Sequence, residues 1–200
     1  RQEPDIIPET AFGVGDLRSE YLTNPVGIDV RRPRLSWKLH SAARGVMQTA
    51  YRLKVASDLA GLEAGDGLVW DSGIVETDQS LHLEYSGPPV GSRRRYYWRV
   101  KVWAGDRESE WSGPAFWEMG LLDQADWVAE WIKTSGPDDE SVSGPSPYFR
   151  RSFPLGGGIR SARIYATSHG VYELYLNGIR VGDRVLTPGF ASYNRRLPYQ

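Results

Sequence analysis

Apolar and polar residues alternate along much of this chain, in short runs separated by turn-forming residues. Between Leu17 and Leu121 we count seven such runs: LRSEYL, RLSWKL, AYRLKVAS, LVWDSG, SLHLEY, RYYWRVKVWA and FWEMGL. In RLSWKL, for example, Leu35, Trp37 and Leu39 alternate with polar neighbours. A period of two residues is typical of a β-strand that buries one face. Long helical periodicity is almost absent, so the pattern predicts an all-β protein.

The number and spacing of these runs indicate the architecture of the first domain. Seven antiparallel strands are the number found in an immunoglobulin-type sandwich. We therefore predict a fibronectin/immunoglobulin-like β-sandwich over residues 17–122, preceded by an N-terminal extension of residues 1–16.

The longest run, from Arg95 to Ala104, offers two different faces. The residues predicted to point inward are Tyr96, Trp98, Val100, Val102 and Ala104. The opposite face carries Tyr97, Arg99, Lys101 and Trp103. The rings of Tyr97 and Trp103 could stack on a sugar or dock against a neighbouring domain. We favour a cover formed by the chain itself, because SEWSG follows directly. Trp111 is predicted to pack on Arg99 or Lys101 as a cation-π contact.

A second β unit is predicted over residues 123–200. Its clearest segment is VYELYL followed by Asn177-Gly178, a pair suited to a two-residue type I′ turn. Counting outward from that turn pairs Leu176 with Ile179, Tyr175 with Arg180 and Leu174 with Val181, and predicts that Tyr172, Leu174 and Leu176 face a core.

The strand count of this second unit is low for a jelly-roll sandwich. Only about five or six strands can be counted after Trp127, whereas a jelly roll commonly has eight. We therefore expect an incomplete jelly-roll-like β-sandwich that continues beyond residue 200, which makes the chain a fragment.

Composition removes several classes of function. The formal net charge is -1, with 24 basic and 25 acidic side chains spread along the chain, so nucleic acid is not an expected partner. There is no cysteine, and no apolar run approaches the length of a membrane span. These observations leave the compartment open, with a periplasmic or extracellular location slightly favoured over a cytoplasmic one.

The order of the motifs resembles a known family. LRSEYLTNPVGIDVRRPRLSWKL, YYWRVKVW, EWSGPAFWEMGL and GVYELYLNGIRVGDRVLTPGFASYNRRLPYQ are similar to the amino-terminal region of bacterial α-L-rhamnosidases of glycoside hydrolase family seventy-eight. The resemblance implies accessory β domains of a longer enzyme, which would add an (α/α)₆ barrel and remove terminal L-rhamnose from glycosides or polysaccharides with inversion. It also implies contact between these domains and the barrel.

No catalytic residue is assigned in this chain. Inverting hydrolysis needs a general acid and a general base about 6.5 to 9.5 Å apart, and the resemblance implies that both lie in the absent barrel. Glu173, Asp71 and Glu118 lie on strands or strand ends, and Asp138, Asp139 and Glu140 belong to a predicted flexible insertion. The 200 residues alone are predicted to be inactive.

In some relatives the second domain binds rhamnose with calcium, which makes Asn177 and Asp183 weak candidates for a sugar or calcium site. The turn by itself accounts for Asn177, and Asp183 can simply be solvated. His40, His82 and His169 show no metal-ligand spacing. A non-catalytic carbohydrate-binding protein and a fibronectin-like adhesion module remain alternative functions.

Overall fold

The computed structural model describes residues 12–135 and 144–200, and it is all-β apart from two short helical turns. The chain forms two compact units, Arg1–Ala129 and Glu130–Gln200. The bounds predicted for the extension and for the two domains are not tested by this division and stay predictions. Among the described residues, none of the helices is long and apolar enough to cross a membrane.

The described residues of the first unit form ten strands, one short α-helix and, after the last strand, a 3-10 turn at Gln124–Asp126. In chain order the strands and the α-helix are β1 (Gly13–Ser19), β2 (Val26–Ile28), β3 (Arg34–His40), β4 (Ala50–Ala56), α1 (Leu59–Ala64), β5 (Leu68–Asp71), β6 (Val75–Glu76), β7 (Leu83–Glu84), β8 (Arg95–Ala104), β9 (Arg107–Glu108) and β10 (Ala115–Met119). One sheet has the order β1-β3-β7. The other has the order β2-β10-β8-β4-β5, with β6 also paired to β4 and β9 to β8.

The inward faces of these strands form one core. Trp37, Trp98 and Trp117 are almost completely buried, and Tyr85 packs edge-on against Trp117 with ring centroids 5.5 Å apart. Tyr96, Trp98, Val100 and Val102 of β8 are all buried as predicted. Ala104, also predicted inward, is only half-buried, at the point where β8 turns into β9.

Two of the seven predicted runs lose at least half of their residues as strands. In LRSEYL the strand ends at Ser19, because Glu20 and Tyr21 have φ of 50° and 67° and form a turn. In SLHLEY only Leu83–Glu84 is extended, because His82 has a φ of 56°. Alternation alone carries no signal for these positive dihedral angles.

Helix α1 was not predicted. The side chain of Asp58 caps its first turn by accepting the backbone N–H of Gly61 at 2.8 Å, and Gly65 ends it with a φ of 73°. Both are ordinary helix boundary signals. The helix is too short for its periodicity to stand out from the surrounding strands.

The second unit contains the predicted hairpin, with β11 (Tyr175–Leu176) paired to β12 (Ile179–Arg180). Its register is as predicted, and the N–H of Val181 donates to the carbonyl of Leu174 at 2.8 Å. Asn177 and Gly178 have φ of 50° and 82°, both positive as a type I′ turn requires.

The predicted core face of this hairpin is only partly correct. Tyr172 and Leu174 are half-buried, but Leu176 is 44% exposed, and its cross-strand neighbour Ile179 is 75% exposed. A backbone bridge joins Tyr172 to Thr187, and Ala166 exchanges hydrogen bonds with Gln200. The hairpin therefore has the predicted register, while the end of its predicted core face nearest the turn is exposed to solvent.

Candidate functional site

The outward face of β8 carries a tryptophan that lies among three cations. The Trp111 ring centroid is 4.8 Å from Cζ of Arg99, 5.6 Å from Nζ of Lys101 and 5.1 Å from Nζ of Lys54. The predicted cation-π contact is thus confirmed for both named partners, and β4 supplies Lys54 as a third. The sequence pattern did not reveal Lys54, because this residue lies on β4 and the pairing of β4 with β8 cannot be read from the sequence.

The serines of the SEWSG segment hold Trp111 in place. Ser112 exchanges hydrogen bonds with the Val100 backbone, whose N–H donates to Ser112 Oγ at 3.1 Å. Ser109 does the same at Val102, again with a hydroxyl contact of 3.1 Å. Both serines are buried, so this segment is fixed to the edge of β8 rather than free to meet a ligand.

The two rings considered for sugar stacking are half-buried and already in contact with other side chains. Tyr97 packs beside Phe116 with ring centroids 5.9 Å apart, and Trp103 Nε1 donates to Glu108 at 3.2 Å. The chain itself covers this face, as we favoured from the sequence.

The three carboxylates weighed as catalytic candidates each lie beside an arginine. Asp71 receives two hydrogen bonds from Arg52, at 2.9 and 2.8 Å. Glu118, which is buried, lies 2.8 Å from Arg95. Glu173 accepts from the Tyr175 hydroxyl at 2.7 Å and lies 3.5 Å from Arg180. Asp138, Asp139 and Glu140 lie outside the described residues.

The direction of the Asp71 pKa shift agrees with a structural role for that acid. Hydrogen bonds from Arg52 hold the pKa of Asp71 below its usual value, and Lys38 and Arg34 do the same for the pKa of Asp16 and Glu20. A general acid working near neutral pH needs the opposite, a raised pKa. Among the described carboxyl groups, every resolved pKa shift is downward, including those of Glu108 and Asp126.

Asn177 and Asp183 stay candidate ligands for calcium or a sugar. Both side chains are exposed, with Asn177 in the hairpin turn and Asp183 beyond the end of β12. Calcium binds six to eight oxygens, whereas the described residues contain no group of three or more His, Asp or Glu able to hold a metal ion. His40, His82 and His169 likewise form no metal-binding group in the described part of the chain.

Two exposed aromatic clusters were not predicted from the pattern. In the first unit, Tyr21 lies edge-on to His82 with centroids 4.9 Å apart, and Cζ of Arg34 is 5.1 Å from the Tyr21 ring. In the second unit, His169 stacks on Tyr193 at 4.8 Å and meets Trp131 at 4.6 Å. Each cluster joins residues far apart in sequence, which explains why a linear pattern does not reveal it.

Comparison with known proteins places both units. Residues 14–123, more than half of the chain, match the family model described as "Rha78A-like, N-terminal immunoglobulin domain", and residues 157–200 match "Alpha-L-rhamnosidase N-terminal domain". An α-L-rhamnosidase of Streptomyces avermitilis is 40% identical, over 86% of this chain and 18% of its own length. One from Formosa agariphila is 34% identical, over 88% of this chain and 21% of its own length.

Solved structures give the same result. The α-L-rhamnosidase of Dictyoglumus thermophilum superposes with a TM-score of 0.85 at 34% identity, covering 96% of this chain and 23% of that one. The Streptomyces avermitilis enzyme complexed with L-rhamnose gives a TM-score of 0.58 at 48% identity, over 62% of this chain and 12% of that one. The chain spans about a fifth of the length of the curated relatives it matches. It belongs to the α-L-rhamnosidase family, as the Rha78A-like N-terminal immunoglobulin domain followed by residues of the rhamnosidase N-terminal domain.

Proposed function

We propose that this chain is the non-catalytic, amino-terminal part of an inverting α-L-rhamnosidase that cleaves terminal α-L-rhamnose from glycosides or polysaccharides. The observation that carries the proposal is the match of its two units, in order, to the N-terminal domains of α-L-rhamnosidases about five times as long. The acid and the base would come from residues beyond this chain.

The side-chain chemistry of the described residues supports the same division of labour. Asp71 and Glu118 are each paired with an arginine, and the Asp71 pKa is lowered. A carboxylate held by a guanidinium is stabilised in its charged form and is a poor proton donor. These groups hold strands together, so the first unit supports a catalytic domain rather than performing its chemistry.

The exposed side chains of the second unit fit a domain that packs against more of the same enzyme. Phe190 is 97% exposed, Val185 is 73% exposed and Leu186 is 74% exposed. Covering exposed apolar side chains with further protein removes them from water and stabilises the assembled protein. We infer that the second unit is completed as a jelly-roll-like sandwich and contacts the catalytic barrel through part of this surface.

The proposal is tested by release of the chromophore from an aryl α-L-rhamnoside. The 200-residue chain should show no hydrolysis above the buffer rate, and the full-length enzyme should hydrolyse the glycoside. Because general acid and general base each contribute typically 10² to 10⁴ in rate, a protein that lacks both has no route to measurable turnover. Hydrolysis by the chain alone would overturn the non-catalytic assignment.

Carbohydrate binding by the second unit is a second candidate, favoured by the rings around His169. Trp131 is 59% exposed, and Phe190 lies edge-on to Tyr193 with centroids 6.4 Å apart. Exposed amphipathic rings suit a ligand with one apolar face and one polar rim. Adding L-rhamnose to the chain should quench its tryptophan fluorescence. This quenching should be lost in the Trp131→Ala variant and kept in the Tyr175→Ala variant. Equal behaviour of both variants would contradict a sugar site here.

Calcium binding through Asn177 and Asp183 stays a prediction. Their three side-chain oxygens, one from Asn177 and two from Asp183, would need backbone carbonyls and water to reach six ligands. Calorimetric titration of the chain with calcium tests it, since a true site should lose its heat signal in Asp183→Ala while the hairpin stays folded. A heat signal unchanged by that substitution would place any calcium elsewhere.

A further inference from the structure

The chain contains three asparagines, and they differ in the residue that follows each one. Asn24 precedes Pro25, Asn177 precedes Gly178 and Asn194 precedes Arg195. The following residue matters because its backbone nitrogen can attack Cγ, the carbonyl carbon of the asparagine side chain. That attack closes a cyclic imide, which is the first step in the spontaneous loss of the side-chain amide.

The backbone nitrogen that follows each asparagine has a different environment. Pro25 has no N–H, and the N–H of Arg195 already donates to the carbonyl of Ser192 at 2.8 Å. The N–H of Gly178 makes no hydrogen bond to any part of the chain that the structure describes. Asn177 therefore has the most accessible attacking nitrogen of the three.

The side chain of Asn177 is equally accessible. It lies in the exposed turn between β11 and β12, and among the described residues its amide has no hydrogen-bond partner. The side-chain oxygen of Asn24, by contrast, accepts the N–H of Phe116 at 2.9 Å. Gly178 has no side chain to block the approach, and a Cβ placed there would meet no atom within 4 Å.

We propose that Asn177-Gly178 is a site of spontaneous modification, at which the asparagine amide is lost and an isoaspartyl product opens the hairpin. The Gly178 nitrogen forms a bond to Cγ of Asn177, the Cγ–Nδ2 bond breaks, and the Gly178 proton leaves with the amide nitrogen as ammonia. Water then opens the imide at one of its two carbonyls. Opening at the backbone carbonyl gives isoaspartate, and opening at Cγ gives aspartate.

The two products have different effects on the hairpin. Isoaspartate routes the main chain through Cβ and Cγ, which lengthens the turn between residues 177 and 178. Because turn type and length fix the register of a hairpin, the bond from the Val181 N–H to the Leu174 carbonyl should be lost. Aspartate keeps the original main chain and tolerates the same turn.

Incubation of the 200-residue chain at neutral pH and physiological temperature, followed by trypsin digestion and mass spectrometry, tests the chemical step. Cleavage after arginine places the asparagines in separate peptides, residues 19–31, 164–180 and 185–195. Exchange of an amide for an acid should accumulate at Asn177 at least about tenfold faster than at Asn194, whose neighbour carries a side chain. A sample taken at the start gives the background. Equal rates at the two asparagines would overturn the proposal.

A matched pair of glycine variants tests the role of Gly178. Its replacement in Gly178→Ala puts a methyl group beside the attacking nitrogen, so Asn177 should lose its amide at least about tenfold more slowly. Gly182→Ala is the control, because Gly182 is also exposed, has a φ of 78° and open space around it, but does not follow an asparagine. The same rate at Asn177 in both variants would contradict the proposed attack.

Hydrogen exchange at the Val181 amide tests the structural consequence. The isoaspartyl form, separated from the aged chain by chromatography, should exchange this amide at least about fivefold faster than Asn177→Asp, which has the original main chain. The Val100 amide of the first unit, which donates to Ser112 Oγ, is the internal reference. Equal exchange at Val181 in the two proteins would show that isoaspartate leaves the hairpin closed, and would overturn this part of the proposal.

Discussion

At the scale of single residues, Trp111 is the side chain whose contribution can be isolated most cleanly. It lies on three cations and packs on the outside of the sheet, so its loss leaves no cavity in the core. Cation-π contacts at solvated sites contribute about 0.5 to 1 kcal/mol each. We expect Trp111→Leu to lower the free energy of unfolding by about 1 to 2 kcal/mol in urea titration.

The matching variant is Trp111→Phe, which keeps an aromatic face and should recover part of that loss. If Leu and Phe give the same free energy of unfolding, the stack acts only through buried area and the cation-π interpretation is wrong.

Gly178 tests the hairpin turn at the same scale. A side chain there would meet no atom within 4 Å, so a substitution is opposed only by its φ of 82°. Ordinary residues in the left-handed region lose about 1 to 2 kcal/mol, and a β-branched residue suffers most. Gly178→Val should lower the free energy of unfolding of the second unit by at least that amount, whereas Asn177→Asp should be milder.

Gly157→Val provides the control, because Gly157 also has open space around it but has no positive φ. Equal effects of the two valines on thermal melting would contradict the type I′ assignment.

At the scale of elements, the SEWSG segment is expected to stabilise β8 through its serines. Ser112 Oγ accepts the N–H of Val100 at 3.1 Å inside the protein. Removing the hydroxyl leaves a buried donor without its partner, which costs about 1 to 3 kcal/mol. Ser112→Ala should therefore destabilise the first unit by that amount and speed hydrogen exchange at the Val100 amide.

Ser86→Ala is the comparison, since Ser86 is exposed and its hydroxyl only donates to the Glu84 carbonyl at 3.2 Å. Similar exchange at Val100 in both variants would show that the backbone pairing of β8 does not depend on the segment.

The elements also show what could be predicted from the sequence. Alternation places Tyr96, Trp98, Val100 and Val102 in the core, because burial on a strand has a period of two. Asn177-Gly178 fixes the hairpin register, because the turn chemistry is local. The turn at Glu20-Tyr21 and the rings that meet at Tyr21 could not be predicted, since they depend on positive φ at unusual residues and on contacts between distant segments.

At the scale of the whole molecule, ion pairs on the sheets set the response to acid. Hydrogen bonds from Arg52 depress the Asp71 pKa in the folded state, so this pair stabilises the fold above the unfolded Asp value of about 3.9. The stabilisation is lost as the pH falls through the lower folded pKa. We expect Asp71→Asn to flatten the fall in unfolding free energy below about pH 5, measured by urea titration at several pH values.

Asp106→Asn, in the exposed turn between β8 and β9, is the control for the loss of one acidic group. If Asp71→Asn and Asp106→Asn leave the same dependence on pH, the Arg52 pair does not contribute to acid unfolding.

We propose that these two β units belong to an inverting rhamnosidase without performing its chemistry. Time-resolved proton NMR of the anomeric signals tests it most directly, with an aryl α-L-rhamnoside and either the 200-residue chain or the full-length enzyme at matched concentration. We predict no new anomeric signal with the chain, and β-L-rhamnose appearing first with the full-length enzyme, because direct attack by water inverts the anomeric carbon. Turnover by the chain, or α-L-rhamnose as the first product of the full-length enzyme, would contradict this account.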